Sequence, residues 1–345
     1  SMQKTKTRKQ SRISSAKAGR SIQHARADYY DYSLVAVIVL LICFGLVMLY
    51  STSSYMAEVK YGNDMFYFKK QAAISVACIV MALIISRIDY HILYYFTTIL
   101  YVAAFGLMLL VKTPLGTAAN GAQRWLQIGP ILFQPSEIAK VAVIVCLPYM
   151  IIKMGRRIKT LKACMVLLGV GGLLAFGAYQ FTDNLSTAMI ILGITVGMVF
   201  VAHPDMRPFI AVAAAGVILI VIGVLFLVAT TKNSDSFRVM RVLVWLQPEK
   251  YSDEGGYQTL QGLYGIGSGG LFGRGLGNSI QKLGCVPEAQ NDMIFSIICE
   301  ELGIFGGIFV LILFGYLLYR LFFIAQNAPD LFGSLIVTGI FIHIA

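Results

Sequence analysis

Asp292 is the acid in this chain best placed to move a proton. It follows Pro287-Glu-Ala-Gln-Asn291 and opens a long apolar run, of which Leu302 to Tyr319 is an 18-residue stretch nearly long enough to cross a bilayer. Glu300 and Glu301 are therefore expected at a membrane boundary, and on a helix rising 1.5 Å per residue Asp292 stands roughly 12 Å above Glu300. That is the height of a lipid head group, and especially of sugars carried on a phosphate. A carboxylate held there by a helix N-terminus stays ionised, and substrate burial that raises its pKa would let it take a proton from a hydroxyl. The plainer role for Asp292 is a helix cap, its carboxylate accepting free first-turn amides.

Other polar groups gather nearby in sequence. Pro135-Ser136-Glu137 reads as a helix start, and Glu137 and Lys140, three apart, share a face just inside the same boundary. Two readings stand for that pair: mutual neutralisation of ions near lipid, or a functional site. The segment 231–291 supplies Lys232, Arg238, Arg241, Lys250, Arg274 and Lys282. Arg238 and Arg241 fall on one face of a helix running into Val242-Leu-Val-Trp-Leu-Gln-Pro248. That helix is either a basic amphipathic element on an anionic leaflet or a clamp on a pyrophosphate. Trp125 and Trp245 are expected as interface anchors.

Several chemistries are disfavoured. Gly265-Ile-Gly-Ser-Gly-Gly270 satisfies G-x-G-x-x-G, but no strand precedes it and no βαβ unit surrounds it, so no nucleotide is expected. The bland reading is a glycine-rich hairpin or re-entrant stretch, with Arg274 free to meet an anion. Six cysteines lack metal or redox spacing, and four scattered histidines make no ligand cluster.

The elements that must position these groups are membrane helices. Hydrophobic residues make up 57% of the 345 and charged residues only 13%, about half the charge of a soluble surface. Apolar stretches near 33–52, 67–86, 90–111, 135–152, 163–181, 185–202, 208–230 and 292–319 are expected to span, and a ninth begins near 331 and ends at Ala345, as in a chain cut from a longer parent. Residues 1–32 form a basic, disordered arm with eight basic and two acidic side chains, more than half of the net +11. A basic tail abutting apolar runs argues against a nucleic-acid partner. With the arm cytoplasmic, Arg87, the run Lys153, Arg156, Arg157, Lys159 and Lys162, then Arg207 and Arg320 fall on the same side. Residues 112–134 and 231–291 then lie outside, where chemistry is expected.

The chain resembles the SEDS family of bacterial cell-wall glycosyltransferases, in its FtsW branch, with sporulation SpoVE-type and elongation RodA-type members as near relatives. The resemblance runs from Tyr30-Asp-Tyr-Ser-Leu34 and Gly45-Leu-Val-Met-Leu-Tyr-Ser-Thr-Ser-Ser54 to the end of the chain. It rests on Asn120-Gly-Ala-Gln-Arg-Trp125, Phe133-Gln-Pro-Ser-Glu-Ile-Ala-Lys140, Gly256-Tyr-Gln258, the glycine run 265–277, and Pro287 through Asp292 to Glu300-Glu-Leu-Gly303.

The resemblance implies an all-α fold of ten transmembrane helices, about nine of them present, around a domain at 33–345 whose catalytic loop is 231–291. It implies polymerisation of lipid II, the undecaprenyl-pyrophosphate disaccharide pentapeptide, at the outer face of the bacterial cytoplasmic membrane during septal wall synthesis. Asp292 falls on the family's catalytic aspartate, with Arg124, Glu137 and Lys140 as further polar members of the site. Arg238, Arg241, Arg274 and Lys282 are expected to meet pyrophosphate, assisted by a divalent cation, Mg or Mn. A class B penicillin-binding protein and other division proteins are the implied partners. Two departures stand out: Asn184, in Asp183-Asn-Leu-Ser-Thr187, occupies a position where many relatives carry aspartate, and Asn291 stands where many have threonine. A flippase for lipid-linked intermediates and a non-catalytic division scaffold are the alternative functions.

Overall fold

The computed structural model describes residues 30–345 apart from 120–121, 130, 252–255, 285, 287–288 and most of 206–236. The expected span 208–230 and the arm 1–29 lie outside the described residues. Ten helices run through the rest: α1 (Tyr32–Tyr61), α2 (Phe66–Ile85), α3 (Ile92–Leu110), α4 (Pro135–Met154), α5 (Leu161–Thr182), α6 (Leu185–Ala202), α7 (Phe237–Leu246), α8 (Gly256–Gly269), α9 (Ile294–Gln326) and α10 (Leu331–Ile344). Seven of them are long and apolar enough to cross a membrane.

Local chemistry sets the helix ends. Asp31 accepts the Leu34 amide at 3.0 Å to start α1, and Gly62, with φ 64°, ends it in a left-handed turn. Pro135 opens α4, while Thr160 and Asn184 cap α5 and α6 with their side chains. Asn184 thus has a structural role of its own: its Oδ1 takes the Thr187 amide at 3.1 Å.

Most helices are apolar all round, so packing rather than amphipathicity decides the order of the bundle. The core forms around α4, whose Ala139, Ala142, Val143 and Leu147 are fully buried among Met108 of α3, Leu167 and Leu174 of α5, Ile191 and Met198 of α6, and Leu335 of α10. Small residues let backbones close up, as at Gly171 of α5, where an added Cβ would sit 2.0 Å from the Thr195 hydroxyl of α6. A second seam joins Val37 of α1 to Leu313, Leu317 and Leu321 of α9. At the edge, α2 packs on α1 and buries none of its own residues.

Two of the expected boundaries move. The first helix runs to Tyr61 rather than 52, because Tyr50-Ser-Thr-Ser-Ser54 stays helical with its hydroxyls bonded back to the preceding turn. The connection 112–134, expected only as a polar loop, folds into an antiparallel sheet of β1 (Gly116–Ala119), β2 (Ala122–Ile128) and β3 (Ile131–Phe133) in the order β1-β2-β3. Strand alternation puts Arg124 and buried Leu126 on the same face of β2, which packs on α4 and α5. The sheet, α7, α8 and the start of α9 share one end of the bundle, called here the sheet end.

Candidate active site

Asp292 lies in a turn two residues before α9 begins at Ile294. It does not cap that helix: Met293 holds the N-cap position, and among the described residues no side-chain cap bond is made there. The Asp292 side chain is exposed, and among the described residues its carboxylate makes no hydrogen bond or ion pair. The neighbouring acids are differently placed. Glu300 and Glu301, expected at the membrane boundary, are wholly buried, and each faces a cation.

That burial follows from a break in α9. Gly303 adopts φ 72°, ψ −170°, which only glycine takes without strain, and the carbonyls of Glu300 and Glu301 are released from the helix ladder. The glycine-rich loop fills the gap: the Arg274 and Gly275 amides donate to those carbonyls at 2.9 Å each, and Ile304 N donates to Gly270 O at 3.0 Å. Buried backbone groups of this kind require partners. The first half of the glycine run is therefore not a hairpin but the end of α8. Gly262, Gly265 and Gly269 there form the face against α9, with a Cβ at Gly269 meeting Cys299 O at 1.9 Å.

The two buried carboxylates tie this loop in place. Glu301 Oε1 lies 2.8 Å from Lys282 Nζ, and both its oxygens lie within hydrogen-bond distance of the Ser51 hydroxyl on α1. Glu300 accepts from the Ser279 hydroxyl and from the Ile280 amide at 3.1 Å, and its Oε1 is 3.6 Å from the Arg274 guanidinium. Lys282 sits deeper than its place in a polar segment suggests. Read from sequence as a pyrophosphate ligand, its side chain is only 7% exposed and serves as the counter-ion of Glu301. Arg274 keeps 37% of its side chain exposed and remains open to an anion.

On the other side of the sheet end, Lys140 Nζ pairs with Glu137 Oε2 at 2.7 Å, the lysine side chain 11% exposed and the glutamate 56%. His343 of α10 is within electrostatic reach of both. The register explains why: Gly339, one turn away, packs against Ile144, one turn below Lys140 on α4. Arg124 Nη2 donates to Asp183 O at 3.2 Å, Lys112 Nζ pairs with the Asp183 carboxylate at 3.0 Å, and Arg124 Nε is buried without a hydrogen-bond partner among the described residues.

Arg241 is exposed on α7, which buries Leu243 and Val244 and leaves Trp245 in the open, the amphipathic helix expected there. Arg238 belongs to the same helix, and its side chain lies outside the described residues. The sequence-derived residues thus fall into separate groups: Glu137 with Lys140, Arg124 on Asp183, and Arg274 and Lys282 on the buried glutamates, with Asp292 bonded to none of them.

A groove of about 410 Å³ opens beside the glycine loop, lined by Val47, Tyr50 and Ser54 of α1, Phe68 of α2, and Leu276 and Lys282.

The chain matches the family model described as "Cell cycle protein", covering FtsW, RodA and SpoVE, over residues 32–345. It is 35% identical over 317 residues to stage V sporulation protein E of Bacillus subtilis, covering 91% of this chain and 84% of that one. To the probable peptidoglycan glycosyltransferase FtsW of the same organism it is 35% identical over 316 residues, covering 90% and 78%. Among solved structures, a chain from a peptidoglycan synthase complex aligns with TM-score 0.71 at 23% identity, covering 92% of this chain and 84% of that one. The rod shape determining protein RodA of Thermus thermophilus aligns with TM-score 0.62 at 22% identity, covering 92% and 82%. With fold and sequence in agreement, this integral membrane chain belongs to the FtsW/RodA/SpoVE family.

Proposed function

We propose that the chain is a peptidoglycan glycosyltransferase that polymerises lipid II at the outer face of the cytoplasmic membrane, with its N-terminus cytoplasmic and its working place the division septum. One observation carries the choice of base. At the start of α9 the Asp292 carboxylate is exposed and bonded to nothing among the described residues, whereas Glu300 and Glu301 of the same helix, and Asp183 and Glu137 nearby, each face a cation; Glu58 and Glu249 are also exposed, but neither belongs to the turn into α9. An acid already paired is a poor proton acceptor; an open one is available to substrate.

In the proposed reaction Asp292 takes the proton of the acceptor's N-acetylglucosamine 4-hydroxyl as that oxygen attacks the anomeric carbon of the donor's N-acetylmuramic acid. The bond to undecaprenyl pyrophosphate breaks, the pyrophosphate carries away the electron pair, and single displacement turns the α linkage into β. Lys140, Arg124 with its open Nε, Arg274, and Arg238 and Arg241 on α7 would stabilise the departing charge. The apolar groove beside the glycine loop suits a polyprenyl tail.

The donor set does not fit a resident metal site, because among the described residues no three His, Cys, Asp or Glu side chains gather. Hard divalent ions require several oxygen ligands, and Mg²⁺ usually takes substrate phosphates among them. We therefore assign Mg²⁺ or Mn²⁺ to the substrate's pyrophosphate. A class B penicillin-binding protein is the proposed partner, with other division proteins. The likeness to a chain from a peptidoglycan synthase complex supports a paired polymerase and crosslinker.

The test is glycan polymer formation from lipid II by the purified protein, with and without a transpeptidase partner. Asp292→Asn should lower the rate by about 10²- to 10⁴-fold while leaving thermal unfolding unchanged. Polymerisation by that variant at the wild-type rate would remove Asp292 from the mechanism.

A further inference from the structure

The opposite end of the bundle carries a second cavity that the proposed chemistry does not use. It has a volume of about 340 Å³, within the roughly 300–1,000 Å³ of small-ligand pockets, and lies between the ends of α4 and α6 and the start of α10. Its walls include Ile151, Ile158, Val201, Ala202, Leu331 and Leu335. The hydroxyl of Ser334 in the same wall is already bonded to Ala325 O at 2.7 Å, so the interior suits a hydrocarbon chain.

The cavity mouth is built from a 3₁₀ turn, Gly155–Lys159. With three residues per turn, Gly155 and Ile158 fall on one edge and line the cavity, while Arg156 and Lys159 eclipse each other on another. Gly155, at φ 51°, makes the turn that carries the chain over the mouth. Lys153, Arg156, Arg157, Lys159 and Lys162 are all exposed, and among the described residues none is paired with an acid. No Asp or Glu occurs between Glu137 and Asp183. The acids of neighbouring turns are engaged: Asp330 by Tyr90 and His91, Asp31 by Arg320, and Asp205 by the Arg207 amide. Orientation in the membrane accounts for the sign of the run, but not for an apolar cavity directly beneath it. Two eclipsed cations repel unless an anion lies between them.

We propose that this end binds an anionic two-chain phospholipid from the leaflet opposite Asp292, its phosphate held by Arg156, Arg157 and Lys159 and one acyl chain in the cavity. The test uses the purified chain in non-ionic detergent, with phosphatidylglycerol or phosphatidylcholine of identical acyl chains and bound lipid counted by native mass spectrometry. Wild type should retain phosphatidylglycerol about tenfold better. Arg156→Gln/Arg157→Gln/Lys159→Gln should reduce that preference to near parity, and Ala202→Phe, which fills the cavity and keeps every charge, should weaken retention of both lipids. Arg156→Gln/Arg157→Gln repeats the charge test on a milder change, and both kinds of variant should unfold like wild type in lipid-free detergent. Equal retention of the two lipids by wild type overturns the site. So does undiminished retention in Ala202→Phe, which marks surface attraction only, or full displacement by millimolar inorganic phosphate, which marks a phosphate site without a lipid.

Discussion

The Ser51 hydroxyl on α1 lies 2.8 and 2.7 Å from the two oxygens of the Glu301 carboxylate on α9, joining residues 250 positions apart. Lys282 Nζ reaches the same carboxylate at 2.8 Å and also donates to Gly277 O at 2.7 Å. One buried acid therefore holds the first helix, the glycine loop and the kink of α9 in a single arrangement. The same loop leads into the turn that carries Asp292.

Removing Lys282 leaves a buried carboxylate without its cation, which costs about 3–5 kcal/mol, whereas replacing both partners by neutral groups is nearly neutral. Lys282→Met should therefore lower the thermal unfolding midpoint sharply, and Lys282→Met/Glu301→Gln should recover most of the loss, because Gln still bonds Ser51. A strictly additive double variant would show that the two side chains do not act as a pair.

Two neighbouring glycines of α8 give opposite expectations. An added Cβ at Gly267 meets nothing within 4 Å, so Gly267→Ala should stabilise by about 0.5–1 kcal/mol through reduced backbone entropy. At Gly269 the same atom would sit 1.9 Å from Cys299 O, a backbone atom that cannot swing away. Gly269→Ala should cost about 3 kcal/mol and displace α8 from α9. Thermal unfolding of the two variants side by side decides it: equal effects would mean that α8 does not pack on α9 as found.

Helices were legible in the sequence because an apolar run of membrane length has few alternatives; 185–202 matches α6 at both ends. What sequence could not show were the partners of its charges. Lys282 reads as an open cation until Glu301 is brought to it, and nothing local to Glu301 shows that the loop meeting the kink at Gly303 will cover it. Such pairings depend on long-range packing, which no local period encodes. His343 gave no signal as one of four scattered histidines; only the register of α10 on α4 brings it to Lys140. The sheet went unread because its strands are short, of four, seven and three residues.

Lys140 and Glu137 pair a mostly buried cation with a half-open acid. If Lys140 meets the leaving pyrophosphate, Lys140→Met should lower polymerisation by about 10²-fold, the scale of losing one preorganised electrostatic group. Glu137→Gln keeps the cation and should cost much less. Equal losses in both would assign the pair a joint structural task instead.

At the opposite end, the His91 ring joins two turns: Nδ1 lies 2.6 Å from Asp89 and Nε2 3.5 Å from Asp330, which also accepts from Tyr90. The Asp89 hydrogen bond is the main influence raising the imidazole pKa above the ordinary 6.5; partial burial opposes it and Asp330 adds to it. A folded pKa above the unfolded one means that the protonated ring stabilises the fold. That contribution is complete below about pH 6.5 and disappears as pH rises through the higher folded value. The ring is 53% exposed, so solvent screening keeps the effect small, a shift of at most about 2 °C in unfolding midpoint. Wild type should lose that increment on going from pH 6 to pH 8, and less of it in 0.5 M salt. His91→Gln should show no such step. A step of the same size in His91→Gln would place its origin elsewhere in the molecule.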